Sequence, residues 1–310
     1  MSFTSIVKNE VSKLDFVESE KITELSAIVR TIGVIDTGIH ISTENASVAR
    51  RIFQLIKDIY HISPKITVRR GYNFNRHYIY ILEIHSYNEE ILKDLSIDVT
   101  SKENLPNSYL YDDPSLVKAY LRGAFLGVGS INDPKKSRYH LEFLVDNESY
   151  AKFLVSLLNQ FYLHSKVIKR DNKYMIYMKE AEKIGDFLRL LGTYNALFYY
   201  EDIRIYRDHK NMTNRLNNCE QANVDKTIAS AMEQVSEIEF LQEVAMLDLL
   251  DEKSKEAALY RLKYPESSLQ ELSEIISLET GNSITKSGLH HRFRKIKELV
   301  NRLQKKENNE

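Results

Sequence analysis

The chain has no tryptophan, one cysteine, five prolines and ten glycines in 310 residues, and its charges nearly cancel at a formal −1. Each shortage excludes something. A lone cysteine, Cys219, cannot close an internal disulfide, which suits a reducing compartment. So few prolines and glycines leave little room for long flexible linkers. No apolar run approaches the roughly 18 residues that a membrane-spanning helix requires. The opening stretch MSFTSIVKNEVSKL lacks the apolar core and cleavage site of a signal peptide, so a cytoplasmic protein with no membrane partner is expected. Also missing are a G-x-S-x-G elbow, a Walker phosphate loop and any Cys or His pair at zinc spacing. His290 and His291 are adjacent, so on a helix they point about 100° apart and do not chelate together.

What is present begins with a repeat. Leu25 to Gly33 and Leu121 to Gly129 share a pattern, a short amphipathic helix running to a glycine, which is a residue suited to a helix C-terminus. Small residues sit four apart in each, Ala27 with Thr31 and Gly123 with Gly127. Positions i and i+4 share a helix face, so the two faces can pack at close range. The same elements follow both. After Gly33 come an alternating stretch (Val34 to Ser42), a helix capped by Thr43-Glu44-Asn45, strand-like runs Lys65 to Arg70 and His77 to His85, and a helix from Asn88 to Leu95. After Gly129 come a hairpin with the strand Tyr139 to Val145, a helix capped by Asp146 or Asn147, strands Lys166 to Lys169 and Lys173 to Met178, and a helix from about Ala181 to Leu191. Each repeat reads α-β-β-α-β-β-α, over about 21–97 and 115–192, within a first domain of residues 1–200. The fold class is therefore α+β.

This pattern resembles the single-chain LAGLIDADG homing endonucleases. The resemblance implies two signature helices packed about a pseudo-two-fold and two sheets forming a saddle on DNA. It also implies an acid just before the last glycine of each helix, where two carboxylates meet and hold a divalent metal, hard cations preferring oxygen ligands. Ile32 and Val128 stand at those positions, and neither can bind a metal. Two places earlier are Arg30 and Leu126. Asp36 and Asp133 lie off the motif and read as turn acids. No metal, no cofactor and no enzymatic activity are expected.

The C-terminal part reads differently. A helix from Glu256 to Tyr264 stops at Pro265; Ser267 or Ser268 caps a short helix, Leu269 to Ile276; a turn through Ser277 to Ser283 follows; Thr285 caps a long helix from Lys286 to about Leu303. Short helix, turn and longer basic helix describe an all-α helix-turn-helix domain over 251–310, its motif about 268–301. From Thr285 to Lys306 eight cations face a single acid, Glu298, a local excess of the kind that phosphate neutralisation needs. The N-terminal part of the second helix meets base edges in this motif, which selects Lys286, Ser287, His290, His291 and Arg294 for bases or nearby phosphates. Arg292, Lys295 and Lys297 are expected on the DNA backbone. Double-stranded DNA is thus the expected partner. The alternative is a solvated basic helix packed on its neighbours.

Residues 201–250 are expected to connect the two. Their Asn-rich run from Asn214 to Asn223 reads either as a capped helix entry, with Asn side chains satisfying backbone groups, or as phosphate or base contacts by Asn214, Arg215 and Asn218. Cys219 reads as a small buried hydrophobe.

With all parts in view, the chain is similar to the WhiA family of bacterial sporulation and cell-division regulators. The match runs through Thr43-Glu44-Asn45-Ala46 and Tyr120-Leu121-Arg122-Gly123, Asn132-Asp133-Pro134, Asn214-Arg215 with Asn218-Cys219-Glu220, and Thr285-Lys286-Ser287-Gly288 with His291-Arg292. The resemblance implies roles in cell division, chromosome segregation and transcriptional control. It also implies a cysteine-containing stretch near residues 16–22, which this chain does not have. Three functions compete: a DNA-binding regulator, a residual nuclease using Asp36 or Asp133, and a scaffold whose duplicated domain binds a protein or small ligand. Basic residues on the saddle strands, Arg69, Arg70, Arg76, Lys166, Lys169, Arg170 and Lys173, favour DNA contact by the first domain; Glu83 and Glu142 dilute them.

Overall fold

The computed structural model describes residues 1–70, 78–86, 88–101, 103, 105–136 and 138–307, and divides the chain into two units, Met1–Asp208 and His209–Glu310. A helix not anticipated from sequence, α1 (Phe3–Val11), opens the first unit, with Ser2 as its cap and Phe3, Val7 and Val11 buried at a spacing of four. The first repeat follows as α2 (Glu18–Ile32), β1 (Gly33–Ile35), β2 (Ile39–Thr43), α3 (Ala46–Tyr60), β3 (Lys65–Arg70), β4 (Tyr78–Ile84) and α4 (Asn88–Asp94). The second is α5 (Pro114–Val128), β5 (Gly129–Ile131), β6 (Leu141–Val145), α6 (Glu148–Gln160), β7 (Lys166–Arg170), β8 (Lys173–Met178) and α7 (Ala181–Leu191). Both repeats have the expected element order, and each builds a four-stranded antiparallel sheet, β1-β2-β4-β3 and β5-β6-β8-β7. Arg76 and His77, expected on the third and fourth strands, lie outside the described residues.

α2 and α5 pack against each other along their length, and the small residues explain the approach. A Cβ on Gly123 would overlap the Glu24 carbonyl, and one on Gly127 would overlap the Thr31 hydroxyl. The expected faces, Ala27/Thr31 and Gly123/Gly127, are therefore the ones in contact. The glycines that follow the helices differ from the expectation. Gly33 (φ −81°, ψ 140°) and Gly129 (φ −72°, ψ 142°) are extended rather than left-handed. Each helix passes straight into a strand, and a side chain there would strike Val29 or Phe125 one turn back.

Asn45 and Asn147 cap α3 and α6 at matching places, each accepting from backbone N–H groups of the first turn. Apolar residues of α3 (Val48, Ile52, Leu55) and α6 (Leu154, Leu157, Leu158) lie against Ile39, Ile41 and Leu82 of one sheet and Leu141, Phe143 and Ile176 of the other, all fully buried in one core.

After α7, the helix α8 (Tyr194–Glu243) runs for 50 residues from the first unit into the second. The second unit continues with α9 (Glu252–Lys263), α10 (Leu269–Thr280) and α11 (Lys286–Glu307). Its core joins Ile238 and Leu241 of α8 to Ala257, Leu272, Ile276, Leu289, Phe293, Ile296 and Val300. Ser268 and Glu271 form a reciprocal capping box on α10, Gly281 ends it in the left-handed region at φ +70°, and Thr285 caps α11 through the Gly288 N–H. α10 therefore runs four residues past the expected Ile276, and the turn between the two helices is correspondingly shorter.

Candidate nucleic-acid interface

At the foot of the α2–α5 pair, Ile32 and Val128 are partly buried and packed against the core. The two nearby acids belong to turns. Asp36 accepts from the Gly38 N–H and sits 2.9 Å from His40 Nε2, while Asp133 accepts from the Lys135 N–H. Among the described residues no group of three or more His, Cys, Asp or Glu side chains could hold a metal ion. A cation stands close by instead. Lys8 of α1 donates to the Leu126 and Gly127 carbonyls at 3.0 and 3.5 Å, satisfying the last turn of α5. Burial pulls the Lys8 ammonium down to about 8. Nothing in the repeat pattern singles out Lys8, because it lies before the first repeat.

The outer face of the saddle collects fewer cations than the sequence count implies. Strand alternation places Arg69 with Lys65 and Thr67 on one face, and Arg70 with Ile66 and Val68 on the other. In the second sheet Lys166, Arg170 and Lys173 share the outer face, and Lys169 points the other way. Acids take up part of this charge: Glu83 lies between Lys65 (3.1 Å) and His40 (3.8 Å), Lys173 meets Asp146 (3.1 Å), and Glu142 meets His140 (3.0 Å).

In the second unit, α11 separates the eight expected DNA-contacting residues into two groups. Lys286, Ser287, His290, His291 and Arg294 are exposed and fall on one arc of the helix, away from the buried Leu289, Phe293, Ile296 and Val300. Arg294 donates to His291 Nδ1 at 3.0 Å, and its other near neighbour is Glu298 at 3.8 Å. The remaining three cations bind their own unit. Arg292 reaches the Lys253 carbonyl and Glu256, Lys295 reaches Asp251 at 3.0 Å, and Lys297 reaches Glu233 at 2.6 Å. The hydrogen bond from Lys295, helped by the Ser254 N–H, holds the Asp251 carboxyl down at about 2. The expectation that these three serve the DNA backbone thus meets a competing use. Their acidic partners lie 36 to 64 residues away, beyond the reach of helix-periodicity arguments.

The expected connector is helix interior. From Asp208 to Lys226 every residue of α8 is exposed. Asn214, Arg215 and Asn218 therefore stand in mid-helix and cap no helix entry. Cys219 is exposed rather than buried, with the Asn223 amide 4.0 Å from its sulfur. Asn214, Asn218 and Gln221 follow one face at intervals of four and three, while Met212, Leu216 and Cys219 follow another.

Fold and site together define a class: a duplicated LAGLIDADG-like domain with the apolar Ile32 and Val128 at the ends of its two packed helices, joined to a helix-turn-helix domain with an exposed basic arc. Three family descriptions match in tandem, the WhiA N-terminal LAGLIDADG-like domain over residues 18–98, the WhiA LAGLIDADG-like domain over 117–210 and the WhiA C-terminal HTH domain over 213–300. The chain is 40% identical over 315 residues to the probable cell division protein WhiA of Oceanobacillus iheyensis, covering 99% of both, and 41% identical over 310 residues to that of Staphylococcus aureus, covering 98% of both. The crystal structure of full-length DUF199/WhiA from Thermatoga maritima superposes with a TM-score of 0.57 at 25% identity, covering 97% of this chain and 99% of that one. The chain belongs to the WhiA family.

Proposed function

We propose that the chain is a non-enzymatic regulator of cell division that binds double-stranded DNA through α11, with consequences for transcription and chromosome segregation. The observation that carries this reading is the exposed arc of Lys286, Ser287, His290, His291 and Arg294 at the N-terminal end of α11, the part of a recognition helix that meets base edges. Arg294 and His290 lie one turn apart, a spacing suited to successive bases. Arg292, Lys295 and Lys297 serve the DNA backbone only by exchanging their internal carboxylates for phosphates. The exposed stretch of α8 supplies secondary contacts through Asn214, Arg215 and Asn218. The cell-division role is taken from the names of the relatives. The absence of catalysis rests on Ile32 and Val128, which offer no oxygen to a metal. The duplicated domain serves as a surface for a protein partner; the exposed Leu144 and Ile168, on either side of the buried Met175 in register across its second sheet, favour that use. Duplex binding by the full chain and by a chain lacking residues 252–310 tests the reading. Loss of affinity in the shortened chain is expected; equal affinity would remove the helix-turn-helix from it.

A further inference from the structure

Lys8 has a charge that the fold does not neutralise. Its ammonium is partly buried, donates hydrogen bonds to the carbonyls of Leu126 and Gly127, lies 5.8 Å over the Phe125 ring, and has no carboxylate within 4.0 Å among the described residues. An ammonium has three N–H donors, and a desolvated cation without a counter-ion attracts an anion. Lys8 also lines a cleft of about 990 Å³ between α1 and the β2–α3 turn. The walls carry hydroxyls and amides, Ser5 and Asn9 from α1, Ser42 and Thr43 from β2 and Ser47 from α3, alongside apolar surface from Met1 and from Ile79 of β4. The single acid on its rim, Glu44, is exposed. Thr43 and Asn45 also shape this turn, Thr43 accepting from the Asn45 N–H at 3.2 Å and Asn45 capping α3.

We propose that this cleft binds a phosphate-bearing small molecule of nucleotide size, its phosphate against Lys8 and the hydroxyls, its ring against Ile79. The volume falls in the range of small-molecule sites, about 300–1,000 Å³, and is larger than a free phosphate needs. Burial alone brings Lys8 to about 8, so the ammonium is charged near neutrality and its unfavourable desolvation is relieved when an anion arrives. The site lies in the first unit and does not depend on DNA recognition by α11.

The test is calorimetry and thermal unfolding of the full-length protein with ATP, GTP or inorganic phosphate in metal-free buffer. A nucleotide should bind and raise the unfolding midpoint, as any ligand specific for the folded state does, and inorganic phosphate should bind more weakly. Lys8→Met should weaken nucleotide binding at least tenfold. Because Lys8 also satisfies the end of α5, Ser47→Glu provides a second arm: it keeps Lys8, places a carboxylate in the first turn of α3 where a helix tolerates one, and should weaken binding tenfold as well. Arg294→Ala should bind nucleotide like the parent. No binding of either nucleotide, undiminished binding in Ser47→Glu, or loss of binding in Arg294→Ala, which would place the nucleotide on the DNA-reading face, would each overturn the proposal.

Discussion

In the first repeat, Glu24 of α2 is fully buried and accepts two hydrogen bonds from one edge of the Arg51 guanidinium, from Nε at 2.8 Å and from Nη2 at 2.9 Å. Arg122 of α5 lies 3.8 Å from the same carboxylate, pairs with Glu20, and stacks 3.6 Å over the Phe16 ring. In the second repeat the corresponding positions, 96 residues on along the signature helix and 102 on along the capped helix, are Tyr120 and Phe153. There the rings meet edge to face at 5.5 Å, and Tyr120 shares a hydrogen bond with Tyr150 at 3.1 Å. Arg30, which ties α2 to the Leu95 and Ser96 carbonyls beyond α4, is matched by the buried apolar Leu126. Two halves with one topology thus hold the same helix pair by different physics. The second relies on aromatic packing. The first relies on buried charges whose desolvation is offset only while every partner stays in place. The small residues facing across the pair are the part the two halves share, because backbone approach leaves no alternative there.

The comparison breaks most visibly at Glu24. Glu24→Gln strands the buried Arg51 without its carboxylate, leaves Arg122 only Glu20, and should destabilise the duplicated unit by about 3–5 kcal/mol in denaturant unfolding; a loss below 1 kcal/mol would show that the pair is not desolvated as described. Gly123→Ala drives a methyl into the Glu24 carbonyl, and overpacking of this kind should lower stability by about 1–3 kcal/mol in the same experiment. At the matching site of the second repeat, Tyr120→Phe removes one hydroxyl and keeps the ring, so a change of only about 0.5–1.5 kcal/mol is expected. A larger loss from Tyr120→Phe than from Glu24→Gln would invert the contrast. The smallest effect concerns the second unit. The folded Asp251 carboxyl titrates at about 2 instead of 3.8, so its stabilisation is present above pH 3.8 and is lost as the pH falls towards 2. Acid unfolding of Asp251→Asn should lack that component, which pH-dependent circular dichroism would detect.

The element order, the close-packed helix faces and the capping residues were legible in the sequence because each depends on residues a few places apart. Asn45, Asn147, Ser268 and Thr285 act on backbone groups within their own first turn. Ile32 and Val128 at the ends of the packed helices were legible for the same reason, being placed by a local motif and its repeat. The rest depends on distant partners. Lys8 meets Leu126 across 118 positions, and Glu24 meets Arg51 across 27. The internal engagement of Arg292, Lys295 and Lys297 depends on acids in α8, α9 and the turn before α9, so a count of charges along α11 overstates what faces outward. The cap reading of Asn214 and Asn218 follows from the preference of Asn for caps and turns, whereas both lie in the middle of a continuous helix.

The central claim is that this family member reads DNA with the outward arc of α11. Duplex binding by the full-length chain, compared between the parent and Lys286→Ala/Arg294→Ala over a series of salt concentrations, tests it most directly. The account predicts a loss of about 1–3 kcal/mol for each side chain that reads a base, with a shallower salt slope for each phosphate contact removed. Unchanged affinity and an unchanged salt slope in the double variant would contradict it.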